Sequence, residues 1–218
     1  MRRVALLTGL LVAAAALAPA GAAFEPEDDP WFVESYGQFR PGPPPADDSA
    51  QTGAELRELL RLQRDRTPRQ VRIARRWGEG PATIPWTRVA LETIRSQRAG
   101  AFPTRSARAL AVLHLGLHDA LEAAEDARRT YSRKRPRRLD DRIDQAVRAG
   151  GTSYPDERAV TAGAAGALLR YLFPDAPEGR FERLTEQAAQ SRLWAGVAYR
   201  SDVTEGLALG RRVAAVAI

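Results

Sequence analysis

The only two histidines of the chain, His114 and His118, stand four residues apart, and Asp119 follows directly. On a helix that spacing puts both imidazoles on one face, where they could supply half of a metal site. No third ligand accompanies them, cysteine is absent, and the pair lies in a Leu-rich series that reads as a core stripe. His114 and His118 are therefore weak metal candidates, and no bound metal is expected. Ser191 has no histidine in its own segment to activate it and is not expected to be a nucleophile. Trp77, Trp86 and Trp194 each belong to a helical apolar series and are expected to pack rather than to stack on a ligand. The basic run Arg133 to Arg138 could attract an acidic surface or anionic lipid, but Arg135 is expected to turn inward and the remainder reads as a solvated loop.

Helices must position these residues, because nearly everything after residue 50 has helical period and no alternating β-branched run competes. Thr52 and Glu55 predict a capping box ahead of Leu56, Leu59, Leu60 and Leu62. Thr67, Pro68 and Gln70 predict a second, followed by Val71, Ile73, Ala74 and Trp77. Further helices are expected at about 86–97, 104–128, 156–172, 178–196 and 202–217, with the long Ala/Leu-rich fourth helix central. Residues 129–154 read as an arginine-rich connection with a helical turn around Ile143. The class is all-α, a single helical bundle over residues 51–218. Residues 23–50 form a Pro-rich extended arm, expected to lie across the body and pin itself by Trp31, Phe32, Tyr36 and Phe39.

Three segments of this helical series carry a resemblance. RRTYSRKRP has Arg135-Pro136 with Arg128 seven residues earlier, YPDER has Asp156, Glu157 and Arg158, and SRLWAGVA has Ser191 and Arg192 and ends on Ala198. In order and spacing they resemble the motifs of the type 2 phosphatidic acid phosphatase and vanadium-dependent haloperoxidase superfamily, in its secreted bacterial haloperoxidase-like branch. The motifs there are a lysine, six residues and Arg-Pro; Pro-Ser-Gly-His; and Ser-Arg, five residues and His. The wider context, including ARALAVLHLGLHDALEAAEDAR and TAGAAGALLRYLFPDAPEGRF, is similar over most of the chain.

The resemblance implies a site in which one lysine and two arginines hold the equatorial oxygens of phosphate or vanadate, one histidine attacks phosphorus or ligates vanadium, and another is the general acid. This chain departs from it at both histidines, which are Arg158 and Ala198. Alanine can neither attack nor ligate, and an arginine that stays protonated is a poor proton donor. Arg128, Arg135 and Arg192 could still clamp an oxyanion with bidentate hydrogen bonds, and Arg135 is expected to turn inward. Asp156 and Glu157, however, put carboxylates where a serine would face the anion. The expectation is an internal ion network in which these carboxylates neutralise Arg128, Arg135, Arg158 and Arg192, with Tyr154 and Tyr199 at its edge. Catalytic residues and the ancestral vanadate are expected to be absent. The alternatives are a rewired phosphomonoester hydrolase that recruits His114, His118 or a carboxylate, and a non-catalytic phosphate or oxyanion-binding module.

Composition fits that outline. The 218 residues are enough to bury one core, and all 33 basic residues except Lys134 are arginine. Met1-Arg2-Arg3, an apolar run to about Leu17 and the small residues of Ala18 to Ala22 read as a signal peptide, residues 1–22, and hence as secretion or periplasmic export. The formal charge of +6 becomes +4 once Arg2 and Arg3 leave with it. No later segment is apolar and long enough to span a bilayer. Because arginines and acids interleave in an exported chain, no nucleic acid partner is expected.

Overall fold

A computed structural model describes residues 29–97 and 103–218. The expected signal peptide lies outside the described residues. The arm, with one 3-10 turn at Gly37–Phe39, leads into eight helices: α1 Ala50–Arg64, α2 Pro68–Gly78, α3 Ile84–Ser96, α4 Pro103–Tyr131, α5 Pro136–Leu139, α6 Glu157–Leu172, α7 Arg180–Trp194 and α8 Arg200–Ala217. No strand occurs among the described residues. The all-α expectation holds, and among the described residues no helix is long and apolar enough to cross a membrane.

The long α4 is central as expected, packed on α6, α8 and α3, but the most extensively packed helix is α6, set against α8 above all and then α7 and α4. Its composition explains this: Ala159, Ala162, Ala164 and Ala165 leave its surface thin enough for close neighbours, while Leu168 and Leu169 are fully buried at its far end. The approach to α8 is closest at Gly210, where a Cβ would run into the Val160 carbonyl. Leu113 and Leu117 of α4 fill the other side, each 0% exposed, and each such leucine contributes roughly 2 kcal/mol on burial.

The capping box at α2 forms as the sequence predicts, with Thr67 and Gln70 bonding reciprocally. The one predicted at α1 does not. Ser49 is the cap, accepting the Thr52 N–H at 3.1 Å, because Glu55 is drawn away to α8, where its carboxylate accepts the Ser201 N–H at 2.7 Å. In the 129–154 connection α4 runs on to Tyr131, and the helical turn sits at Pro136–Leu139 rather than at Ile143. Pro136 explains the shift, since its fixed φ and missing N–H suit a first helical position. Left-handed Gly179 (φ 66°) and Gly196 (φ 68°) bracket α7 more tightly than periodicity suggests.

The arm does lie on the body, but its backbone and not its aromatics make most of the attachments. Trp31 is 62% exposed. The Trp31 and Phe32 N–H groups donate to the buried Asp119 carboxylate at 3.1 and 2.8 Å. Tyr131 and Tyr154 hydroxyls donate to the Pro41 and Gly42 carbonyls, each at 2.6 Å, and Arg40 grips Asp126 with two hydrogen bonds. Val33 and Phe39 are the arm's buried apolar anchors.

Candidate functional site

The segments that carry the sequence motifs converge where the C-terminus of α4, the N-terminus of α6 and the C-terminus of α7 meet. Asp156 is the N-cap of α6, accepting the Ala159 N–H at 3.0 Å. Its carboxylate also receives the Arg192 Nε–H, at 3.0 Å to Oδ1 and 3.2 Å to Oδ2. Both side chains are buried, 1% exposed for Asp156 and 4% for Arg192. Burial pushes the Asp156 pKa up, but the charge and hydrogen bond of Arg192, with the charge of Arg135, outweigh it and hold the group below the usual carboxylate range.

Arg135 turns inward and spends its donors on backbone, with Nε on the Gly150 carbonyl and Nη1 on that of Val197, both at 2.8 Å. Burial, first of all, pulls its pKa down, opposed by the charge of Asp156. Arg128 reaches Glu157 Oε2 at 3.1 Å and the Thr152 carbonyl at 3.3 Å. Arg158 does not join. It leaves the cluster for the C-terminal end of α2, donating to the carbonyls of Trp77 and Gly80. The four-arginine network expected from sequence is thus two ion pairs, Arg192–Asp156 and Arg128–Glu157, with Arg135 beside them. Arg158 acts instead as a C-cap for a neighbouring helix, where carbonyls without helical partners favour a cation.

The remaining motif residues are buried. Ser191 Oγ donates to the Ala188 carbonyl one turn back at 2.6 Å and is 0% exposed, as is Ala198. Tyr154 is occupied by Gly42, as above, and burial pushes its pKa up. The Arg192 Nη1 and Tyr199 hydroxyl are buried with no hydrogen-bond partner among the described residues. Away from this cluster, His114 is exposed rather than part of a core stripe, and its Nε2 lies 3.3 Å from Thr87 Oγ1. Asp119 is fully engaged by the arm, and no group of three potential metal ligands occurs among the described residues. Trp77 and Trp86 are buried against each other with ring centroids 4.9 Å apart.

A second buried charge cluster was missed from the sequence. Arg133, expected in a solvated loop, is 1% exposed and bonds Asp202 Oδ1 at 2.6 Å and Glu55 Oε2 at 3.1 Å, with its guanidinium 4.0 Å over the Tyr199 ring. Asp202 is 0% exposed, and burial pushes its pKa up to about 6 against the opposing pull of Arg133 and the Tyr199 N–H. The available signal was Asp202 itself, an acid in the first turn of a helix whose carboxylate receives the N-cap amide. Nothing local marks Arg133 out from its basic neighbours.

The all-helical bundle has the fold of a solved bacterial protein. A solved bacterial vanadium-dependent iodoperoxidase matches it with a TM-score of 0.76 at 22% identity, over 86% of this chain and 54% of that one. The chain spans about half the length of that protein. No family model matches the sequence, and no curated protein matches it.

Proposed function

We propose that this chain is an exported, non-catalytic haloperoxidase-like protein in which the Asp156 carboxylate occupies the role of the oxyanion. The observation that carries the reading is the Arg192–Asp156 pair, buried, bonded twice and fixed from behind by the α6 cap. An anion brought to about 4 Å from that carboxylate meets a repulsion of about 4 kcal/mol at intermediate dielectric, which weakens binding roughly a thousandfold. The residues present do not suit vanadate: fully buried Ala198 offers no ligand atom, and Arg192 and Arg128 already hold carboxylates. Phosphoryl transfer has no general acid here either, because Arg158 is bonded to the end of α2. What remains is a folded scaffold whose surface, not its ancestral pocket, does the binding.

Thermal unfolding of the protein in rising orthovanadate tests this. A ligand at a hundred times its dissociation constant stabilises the folded state by about 2.7 kcal/mol, roughly 5–10 °C for a chain of this size. The expected result is no shift for the wild type at millimolar anion. Asp156→Ser keeps a capping oxygen and removes the charge, and should gain a saturable shift that Arg192→Ala abolishes. A saturable rise in the wild type would instead support an oxyanion-binding module, and turnover of a phosphomonoester lost in Arg192→Ala would establish a hydrolase. The unpartnered Arg192 Nη1 is the observation that favours the oxyanion-binding alternative.

A further inference from the structure

The net charge of this chain is not spread over it. Residues 50–78, the hairpin of α1 and α2, hold eight arginines against Glu55, Glu58 and Asp65, a net +5 of the chain's +6. Two of those three acids are turned away from solvent or already paired, Glu55 with buried Arg133 and Glu58 with Arg200. Of the arginines only Arg66 is anchored, to Asp144 and the Trp194 carbonyl.

The other seven are exposed. On α1, Arg57, Arg61 and Arg64 fall at the four- and three-residue steps that align side chains along one face. On α2, Arg69, Arg72, Arg75 and Arg76 do the same on a helix with no acid in it. Arg64 meets only Asp65, at 3.6 Å with both largely exposed, and Arg76 lies 5.7 Å over the Trp77 ring. For the remaining five there is no hydrogen bond or ion pair among the described residues. Some exposed arginines elsewhere do find acids, as Arg40 finds Asp126 and Arg142 finds Asp140. Both helices of the hairpin pack on α7, so their opposite faces point outward from one side of the molecule.

We infer that the α1–α2 hairpin is an electrostatic docking surface for an anionic phospholipid bilayer. Three observations select that partner. The surface is made of two helix backs, about 22 and 16 Å long at 1.5 Å per residue, which suits a broad planar charge. The hairpin's one aromatic, Trp77, is 3% exposed, so no stacking platform for a single-stranded nucleic acid exists there. Ala74 and Trp77 on the apolar side of α2 are buried in the protein core, so the hairpin cannot insert and must bind through charge alone. Every cation is a guanidinium, whose fork matches phosphate oxygens two at a time. Each basic residue near an anionic surface strengthens binding about fivefold, and the attraction is screened over about a Debye length.

The test is co-sedimentation of the purified protein with vesicles of equal parts phosphatidylglycerol and phosphatidylcholine, against pure phosphatidylcholine. Binding should require the anionic lipid and weaken steeply between about 50 and 300 mM salt. The variant Arg69→Gln/Arg72→Gln/Arg75→Gln/Arg76→Gln should lose several hundredfold in affinity with its thermal midpoint little changed, since these side chains hold nothing in the fold. A control with the same loss of charge on α3 and α4, Arg88→Gln/Arg95→Gln/Arg105→Gln/Arg108→Gln, should bind within severalfold of wild type. Equal losses in the two variants would reduce the effect to net charge and overturn the assignment of a surface. So would equal binding to neutral vesicles, absence of binding at low salt, or tighter binding to duplex DNA than to the vesicles at matched salt.

Discussion

Asp156→Ala should be among the most damaging single substitutions in this chain, and its cost can be assembled from two separable parts. The first is the cap: Oδ1 accepts the Ala159 N–H at the start of α6, and replacing an N-cap aspartate by alanine costs about 1 kcal/mol. The second is Arg192, left buried at 4% exposure with its Nη1 already unpartnered. Breaking one side of a buried ion pair costs about 3–5 kcal/mol. The sum, about 4–6 kcal/mol, approaches the whole stability of many domains. Asp156→Asn keeps the cap and loses the charge, so it should be about 1 kcal/mol milder. Asp156→Asn/Arg192→Met removes the uncompensated cation as well, and should recover most of the loss, because an apolar replacement of a buried pair is often neutral. Urea unfolding of the four proteins at pH 7 gives all three differences. If Asp156→Ala costs under about 1 kcal/mol, or if the double variant is no better than Asp156→Asn, the pair does not hold the site as described. Acid should act on the same pair. The folded-state pKa of Asp156 lies below its unfolded value, so its contribution is present above about pH 4 and lost as pH falls through the depressed folded value.

Asp202 should act in the opposite direction: with its folded pKa pushed up to about 6, stability is fully present below about pH 4 and falls by a few kcal/mol by the time pH has risen through 6. Asp202→Asn should flatten that slope in urea unfolding measured from pH 4 to 8, and an unchanged slope would assign it to another group. Asp119→Ala removes the acceptor of both the Trp31 and Phe32 amides, worth roughly 2–3 kcal/mol. Limited proteolysis should then cut first within residues 29–48, with the helical circular dichroism retained; cleavage elsewhere first would show that the arm's other attachments hold it without Asp119.

What the sequence disclosed depended on how far apart the partners lie. Thr67 and Gln70 cap α2 because both members of the box are within one turn, so no tertiary competitor can reach either first. Glu55 sits at the same kind of position relative to Thr52 and fails as a cap, because Ser201 and Arg133, more than 75 residues away, offer a buried and charged alternative. The same distance hid Arg133, a residue in a basic run until α8 places Asp202 against it at 2.6 Å. Arg135 could be read as inward because the proline after it fixed its place in a motif, whereas the departure of Arg158 depends on where α2 happens to end. His114 and Asp119 show the reverse error: read together as near neighbours on one helix, they part on α4, where His114 faces solvent and Asp119 is committed to an arm whose path no periodicity describes.

Two of the buried carboxylates, Asp156 and Asp202, do unlike things with the same chemistry. Asp156 lies between Arg192 and Arg135, where positive charge exceeds negative, and its ionised form is favoured. Asp202 has the one guanidinium of Arg133, which Glu55 also holds, and there burial outweighs it. A site built to hold a trianion would leave arginines in excess once that anion is gone. The excess at Arg192, Arg135 and Arg128 is met by Asp156 and Glu157, from the two residues at the head of one helix. That placement uses a position where a helix N-terminus already favours negative charge, so a carboxylate there neutralises two sources of positive potential at once. At the two positions where the resembling motifs carry histidine, Ala198 packs as an ordinary core residue and Arg158 caps α2, so neither side chain is a burden on the fold. On this account Asp156 and the histidine position are linked: Ala198→His alone should give no vanadate-dependent stabilisation, while the same change in an Asp156→Ser background should stabilise beyond Asp156→Ser alone. A response to Ala198→His by itself would mean that the carboxylate is not what keeps the anion out.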